Sequence, residues 1–518
     1  MGEFLSLTEA PAMSITLRSL PVLAACFAAG VLRAGDIVPP AGPVDSTMKT
    51  LEEVEPRTPI GPETTPAGFG AKYRITSPGT YYLTGNLVAA AGMDGLRIDS
   101  SDVTVDLMGF TIQGSGTAAG NTGIYSSALG DDYVHITIRN GFVTGWSGSG
   151  VYLGGEDNLL EDLVIADCGG AGAFISSGTT VQRCMVFNTT TSGLNLGANS
   201  TVESSIVADC GTNGMTVGSG SVVTGCIAYG NVNNGIVTTD SGTISECVVT
   251  RNDLTGIIAR RGQVSNCVAY GNLENGIHAT RAVSITSCTV SFNGSVGALI
   301  DAGSAAADGS LISGSIFRAN SGGGIMAGSH CTISGNAVWN NSGGSGIQVQ
   351  DDCLITMNLF ADGHSGHGIQ AGDTCRITNN HLVASPGSGI VAEVDSTIER
   401  NSVVACGSIG ISVDNRCRIV GNNCEGNGSL GIYTGARECT IHDNRVANNV
   451  LAGIRCNGDR NFVFANFARD NGGTNYEAVA DNRFGPIVIP PLSGAILGSS
   501  DPDVLGVGTI DPWANFSY

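Results

Sequence analysis

Residues 351–381 gather more groups able to do acid–base or metal chemistry than any other short stretch of the chain. Asp351, Asp352 and Asp373 are interspersed there with His364, His367 and His381. Carboxylates held near one another raise each other's pKa unless a cation neutralises them, so such a set suits either a general acid or oxygen ligation of Ca2+. Asp351, Asp352 and His367 are therefore the candidate catalytic residues, and Asp351, Asp352 and Asp373 the candidate Ca2+ ligands. The plainer alternative makes all of them solvated turn residues. No Lys follows Lys72, so a lyase acting here would need Arg or His as its base. Three Trp, at 146, 339 and 513, leave few platforms for stacking sugars.

What positions these residues is a repeat. A Gly followed by an apolar residue recurs seventeen times, from Gly95-Leu96 and Gly123-Ile124 through Gly150-Val151 to Gly453-Ile454. Between Gly150 and Gly297 the steps are 20 to 22 residues. Each period holds short alternating apolar stretches such as Ile244-Ser245-Glu246-Cys247-Val248-Val249, broken by Gly and Asn, with nothing long enough for a helix. Strands that return to the same place every 21 residues without a crossover helix must stack on the preceding coil, about 4.8 Å away. The expected fold is all-β: one right-handed parallel β-helix of about 16–17 coils, a rod of roughly 80 Å.

One column supports the stacking residue by residue. It reads Cys184, Ser205, Cys226, Cys247, Cys267, Cys288, Ser315, Asn336, Asn358, Asn380, Asn401, Asn422 and Asn444. An Asn column satisfies each buried amide through the coils above and below. A second column holds Cys331, Cys353, Cys375 and Cys417, so the 16 Cys of the chain read as small core fillers and free thiols, not as a disulfide framework. In the polar turns, Asp395 falls beside Arg416, Arg437 beside Asp459, Asp240 beside Arg260 or Arg261, and Arg281 beside Asp301. Surface pairs of this kind are worth up to about 1 kcal/mol.

Composition agrees with a coil of strands and turns: 76 Gly in 518 residues and only 13% charged residues. Mean hydropathy is +0.16, and no long apolar run in the body predicts a membrane span. A net charge of −21 repels phosphate backbones and anionic lipid, which excludes nucleic acid as the expected partner. Residues 1–34 read as a secretory signal, with Arg18 before the apolar stretch Leu20 to Leu32 and a small residue, Ala34, at its end. Met13 is an alternative start, leaving residues 1–12 outside the native chain. Leu23-Ala24-Ala25-Cys26 is the weaker alternative of a lipid anchor. Residues 35–72 are then a Pro-rich arm or cap, 73–470 the coil, and 471–518 the cap of its far end.

With the repeat laid out, the chain resembles the pectate-lyase-like superfamily of right-handed β-helices over about residues 73–470. The resemblance rests on the Gly-Ile marks, on Ile398-Glu399-Arg400-Asn401-Ser402-Val403, and on the opening Val103-Thr104-Val105-Asp106-Leu107. Asp351-Asp352 followed by Gly366-His367-Gly368 also looks like the paired-Asp and Gly-His-Gly motifs of polygalacturonases. Those motifs sit about one coil apart in that family, whereas Asp352 and His367 are 15 residues apart. The family's Asn-x-Asp and Arg-x-Lys motifs have no counterpart here. The resemblance implies a secreted or cell-surface protein that binds or modifies extracellular polysaccharide, as a lyase, hydrolase or epimerase if an enzyme. The competing class is a non-catalytic structural or adhesion protein of the cell envelope, which the regular rungs favour. Oligomeric state is not legible.

Overall fold

The computed structural model describes residues 55–116, 121–126, 133–301, 309–361, 363–489 and 512–517. Residues 1–34 and most of the Pro-rich arm, with Cys26 and Met13, lie outside the described residues. Among the described residues every element is a strand, most of them three residues long, and the named strands pair in parallel. Each coil contributes one strand to each of three faces. The first sheet contains the Gly-apolar marks and runs from Ala71–Ile75 to Tyr476–Ala478, 19 strands in all. That is more than the expected 16–17, because neither end coil carries the mark: Ala71–Ile75 lacks it, and Asn475-Tyr476 replaces it at the far end.

Register is uniform. Ile236 stacks on Ile257, Ile244 on Val264 and Val249 on Ala269, one residue from each sheet. All six are fully buried, and the alternating residues between them face outward, which is the period-2 pattern of a half-buried strand. The mark needs glycine because the coils approach closely there. A Cβ on Gly235 would lie 2.8 Å from the Gly256 carbonyl oxygen and 2.2 Å from Cγ1 of Val249.

The corners are made by single residues in the left-handed region. Between the second and third sheets these include Glu246 (φ 57), Asn266 (φ 53), Asn379 (φ 56) and Arg400 (φ 53). The residue after each turns inward, and these inward residues form the predicted column. Asn401 N–H donates to Oδ1 of Asn422 (2.9 Å), and its Nδ2 donates to the same oxygen and to the Ile377 carbonyl. The ladder runs unbroken from Asn336 to Asn466 and then, across 49 residues, to Asn515 in the strand Asn515–Ser517, which pairs with Phe467–Arg469. A second Asn ladder, Asn231, Asn252, Asn272, Asn293, Asn320 and Asn341, lines the corner before the first sheet and resumes at Asn427, Asn449 and Asn471. The fifteen described Cys are free and buried, as the columns require. Burial pushes the Cys168 and Cys456 thiols up to about 12.

The second ladder is interrupted by His364, Ser385 and Cys406. His364 is buried, with Nε2 3.2 Å from the Val338 carbonyl, while its Nδ1 and the Ser385 hydroxyl have no partner among the described residues. Burial holds the His364 imidazole below the usual histidine range.

Two stability predictions follow from the ladders. Asn401→Ala removes the acceptor of Asn380 and the donor to Ile377, so it lowers stability by about 1–3 kcal/mol per orphaned group. Thermal unfolding of that variant beside Asn401→Asp and a surface control such as Thr397→Ala measures this. For His364 the folded pKa lies below the unfolded one, so the unfolded chain binds the extra proton first. Its contribution is intact above the unfolded pKa of about 6.5 and is lost as pH falls through the folded pKa. His364→Asn should raise Tm, and its advantage over the wild type should widen between about pH 7 and pH 5. A constant difference over that range would refute the assignment.

Candidate functional site

The corner that leaves the first sheet is where the sequence placed its acidic candidates, and each coil builds it the same way. The inward residue (Cys331, Cys353, Cys375, Ser396, Cys417, Cys439) follows a left-handed residue whose side chain points out: His330, Asp352, Thr374, Asp395, Arg416 and Glu438. The column therefore displays one exposed polar group per coil. Arg416 grips Asp395 through two hydrogen bonds of 2.7 Å and holds its carboxyl below the ordinary carboxylate range. Arg437 reaches Asp459 at 3.7 Å and Arg261 reaches Asp240 at 3.4 Å. Asp301, expected beside Arg281, has Nε2 of His278 at 3.0 Å.

The three candidate carboxylates point to different partners. Asp351 Oδ1 accepts the Asp373 N–H at 3.0 Å, and Asp373 Oδ1 accepts the Val394 N–H at 2.9 Å, so each caps the coil that follows it. Asp352 accepts the Thr374 hydroxyl and lies 3.5 Å from Nε2 of His330. His330 comes from the coil before. Among the described residues no three His, Cys, Asp or Glu side chains converge on a point where a metal ion could sit.

The histidines disperse. His367 stands at the entry to the first sheet, its Nδ1 accepting the Ser388 N–H at 3.1 Å, while Asp351 and Asp352 stand at the exit from that sheet. His364 is in the interior, and His381 faces outward on the third sheet, level with Leu359 and Ser402. The structure thus brings Asp351, Asp352 and Asp373 to one corner and leaves His367 at another.

Beside that corner lies a hollow that sequence reasoning missed. It has a volume of about 210 Å3 and is lined by Gln348, Gln350, Asp351, Gln370 and Glu393. Gln348 and Gln370 are successive outward residues of the first sheet, stacked in register. Gln370 Oε1 accepts the Ser345 hydroxyl at 3.3 Å, while the side chains of Gln348, Gln350 and Glu393 have no hydrogen-bond or ion-pair partner among the described residues; the Gln350 and Glu393 carbonyls accept the Cys375 and Cys417 thiols. The next three coils carry a similar hollow of about 250 Å3 lined by Asp414, Asn415, Arg437 and Asp459. The two lie along one corner of six consecutive coils, a line of about 29 Å. Reading the second residue after each mark as a column would have found Gln348 and Gln370. The same column begins with Arg74, Arg97, Tyr125, Tyr152 and Phe174, where the Tyr152 and Phe174 rings stack at 5.2 Å and Arg97 lies over Tyr125. The stacked rings of this column are Tyr and Phe, none of them Trp.

The family model for a right-handed β-helix region matches residues 94–254, 255–397 and 327–471. The chain belongs to that family of right-handed β-helix proteins. No match was found among curated proteins. Among solved structures, the A-module of the Azotobacter vinelandii mannuronan C-5 epimerase AlgE4 is 15% identical, with 62% of this chain and 88% of that one covered, at a TM-score of 0.31. A tailspike protein of E. coli bacteriophage HK620 in complex with a pentasaccharide is 13% identical, covering 69% and 74%, at 0.32. The periplasmic alginate epimerase AlgG is 9% identical, covering 82% and 83%, at 0.23. At these scores no residue role passes from them to this chain.

The corner geometry separates two roles for Asp351. As a cap its work is to accept the Asp373 N–H, which an amide oxygen does equally well. Asp351→Asn should then keep the wild-type Tm, and Asp351→Ala should lower stability by about 1 kcal/mol. Thermal unfolding with and without millimolar Ca2+ tests both roles: a calcium-dependent gain lost in Asp352→Asn or Asp373→Asn would assign the cluster to the cation.

Proposed function

We propose that this protein binds polysaccharide along the corner trough that leaves the first sheet. The observation that carries the reading is the row of unengaged polar side chains, Gln348, Gln350 and Glu393, lining a hollow that recurs along six coils. A sugar chain presents hydroxyl groups that both donate and accept. Its counterpart must therefore offer amides, which do both, beside carboxylates and guanidinium groups, which do one each. Gln348, Gln350 and Gln370 supply the first kind, and Glu393, Asp414 and Arg437 the second. A straight trough suits a linear polymer better than a compact ligand, because a deep enclosure rather than a line would bury a small molecule.

Glu393 is the carboxylate we assign to any acid–base work, since its carboxylate opens on the hollow without a partner among the described residues and Asp351 beside it already caps a backbone N–H. Location outside the cytoplasm belongs to the same proposal and is supported by the signal-like residues 1–34. Among the described residues, no helix is long and apolar enough to cross a membrane.

Titrating the purified chain with uronate-containing and neutral polysaccharides tests the reading. Binding should be found, and Gln370→Ala combined with Glu393→Ala should weaken it at least about tenfold, or about 1.4 kcal/mol, with Tm unchanged. New reducing ends or unsaturated products that disappear in Glu393→Gln would make the trough catalytic. Failure to bind across a broad panel would leave the rod as an envelope or adhesion structure.

A further inference from the structure

The third sheet carries an outward column unlike the other two. In register it reads Phe142, Val164, Met185, Ile206, Ile227, Val248, Val268, Thr289, Ile316, Ala337 and Leu359. Ten of these eleven residues are apolar, and all face outward, because the residue after each one packs into the core. Phe142, Met185 and Leu359 are 44%, 41% and 49% exposed. The neighbouring outward column adds Phe187, Tyr229, Tyr270 and Trp339 and contributes a single charge, Arg318, which lies over the Phe292 ring. The stripe is bounded along the rod by Thr111 at one end and His381 at the other. Across the same coils the second sheet is different: more than half of its outward residues are Thr or Ser, with Thr243, Ser245, Thr332 and Ser334 typical.

Soluble monomers rarely expose a continuous apolar patch of more than a few hundred Å2. Eleven coils at about 4.8 Å, across a three-residue strand at about 3.3 Å per residue, give a flat face of roughly 500 Å2. On the adjoining corner the exposed apolar residues Val232, Leu273 and Phe292 alternate with the charged Asp209, Arg251 and Asp253, so the apolar face itself supplies roughly 500 Å2 per copy, about the 1,000 Å2 in total that a specific interface needs.

We propose that this face, from Phe142 to Leu359, is the surface through which two copies of the chain associate side by side. Its shape asks for a partner that is straight, rigid and apolar over about 50 Å, and the chain itself presents such a face. Charge points the same way. With a net charge of −21 two copies repel over most of their surface, and this stripe, nearly free of charge, is where they approach at least cost. Its columns offer sugar hydroxyl groups few hydrogen-bond partners, and an acidic chain is repelled by anionic lipid. A two-fold pair buries the same patch on both copies, so Val248, midway along the stripe, meets its own counterpart whether the rods run parallel or antiparallel.

Sedimentation of the full chain between about 1 and 50 µM, where an interface of ordinary size associates, tests the proposal. The wild type should have twice the mass of one chain. Ile227→Glu combined with Val248→Glu should raise the dimer dissociation constant at least about tenfold with thermal unfolding unchanged. Thr243→Glu, on the second sheet, should leave association as it was. Val248→Cys should cross-link to a second copy under a thiol-bridging reagent, a readout that stands even if the double variant folds poorly. A wild type that stays a single chain through that range overturns the proposal. So does a dimer that survives both charged substitutions, or the absence of a Val248→Cys cross-link.

Discussion

Every coil must turn three corners, and each turn takes backbone N–H groups out of line with the sheets. The chain turns at one left-handed residue, such as Arg400 or Asn379, and the residue after it points into the core. A buried N–H without an acceptor costs about 1–3 kcal/mol, and the cost would recur at each corner of 19 coils. The inward side chain of the next coil removes it: Asn422 Oδ1 receives both the N–H and the Nδ2 of Asn401. Where the inward residue is Ser, as at Ser205, Ser310 and Ser396, its hydroxyl oxygen receives the same kind of N–H. Where it is Cys, Cys353 Sγ receives the Cys331 N–H at 3.3 Å. Small polar or sulfur-bearing residues are held at the corners by this demand, and the Ile and Val between them fill the flat walls.

Once the corners are fixed, the three outward faces are free to differ, since nothing in the core depends on them. The first sheet changes along its length from stacked Arg, Tyr and Phe to paired Gln. The second carries Thr and Ser, which suit an exposed strand by β-branching and hydrogen bonding. The third is apolar over eleven coils. A translational repeat makes any preference at one outward position into a line along the rod, so each face acts as a strip rather than a point. This suits extended partners, whether a polymer in the corner trough or a second rod against the third sheet.

The acidic corner illustrates how the same repeat restrains chemistry. Asp351 and Asp373 are spent on backbone N–H groups of the following coil, and Asp395 on Arg416. Groups one coil apart in register become neighbours whatever their function, and a carboxylate next to an N–H or a guanidinium settles as a cap or an ion pair. Glu393 escapes because it lies two residues before the left-handed position, at the rim of the hollow.

The sequence by itself determined the period, the Gly marks, the thiol and Asn columns and hence the stacked coil, because those residues answer to one-dimensional constraints: fixed spacing and a corner that repeats. It placed Asp351, Asp352 and Asp373 at one turn for the same reason. Its register also set His367, directly before the Gly368 mark, apart from Asp352, six residues after the Gly346 mark, but that these two positions are the entry to and the exit from one sheet was decided only when the coils closed. It also left Gln348, Gln370, Glu393 and the stripe from Phe142 to Leu359 unseen. An outward residue and an inward one alternate within three-residue strands, and which of the two meets water was decided only when the coils closed around a core.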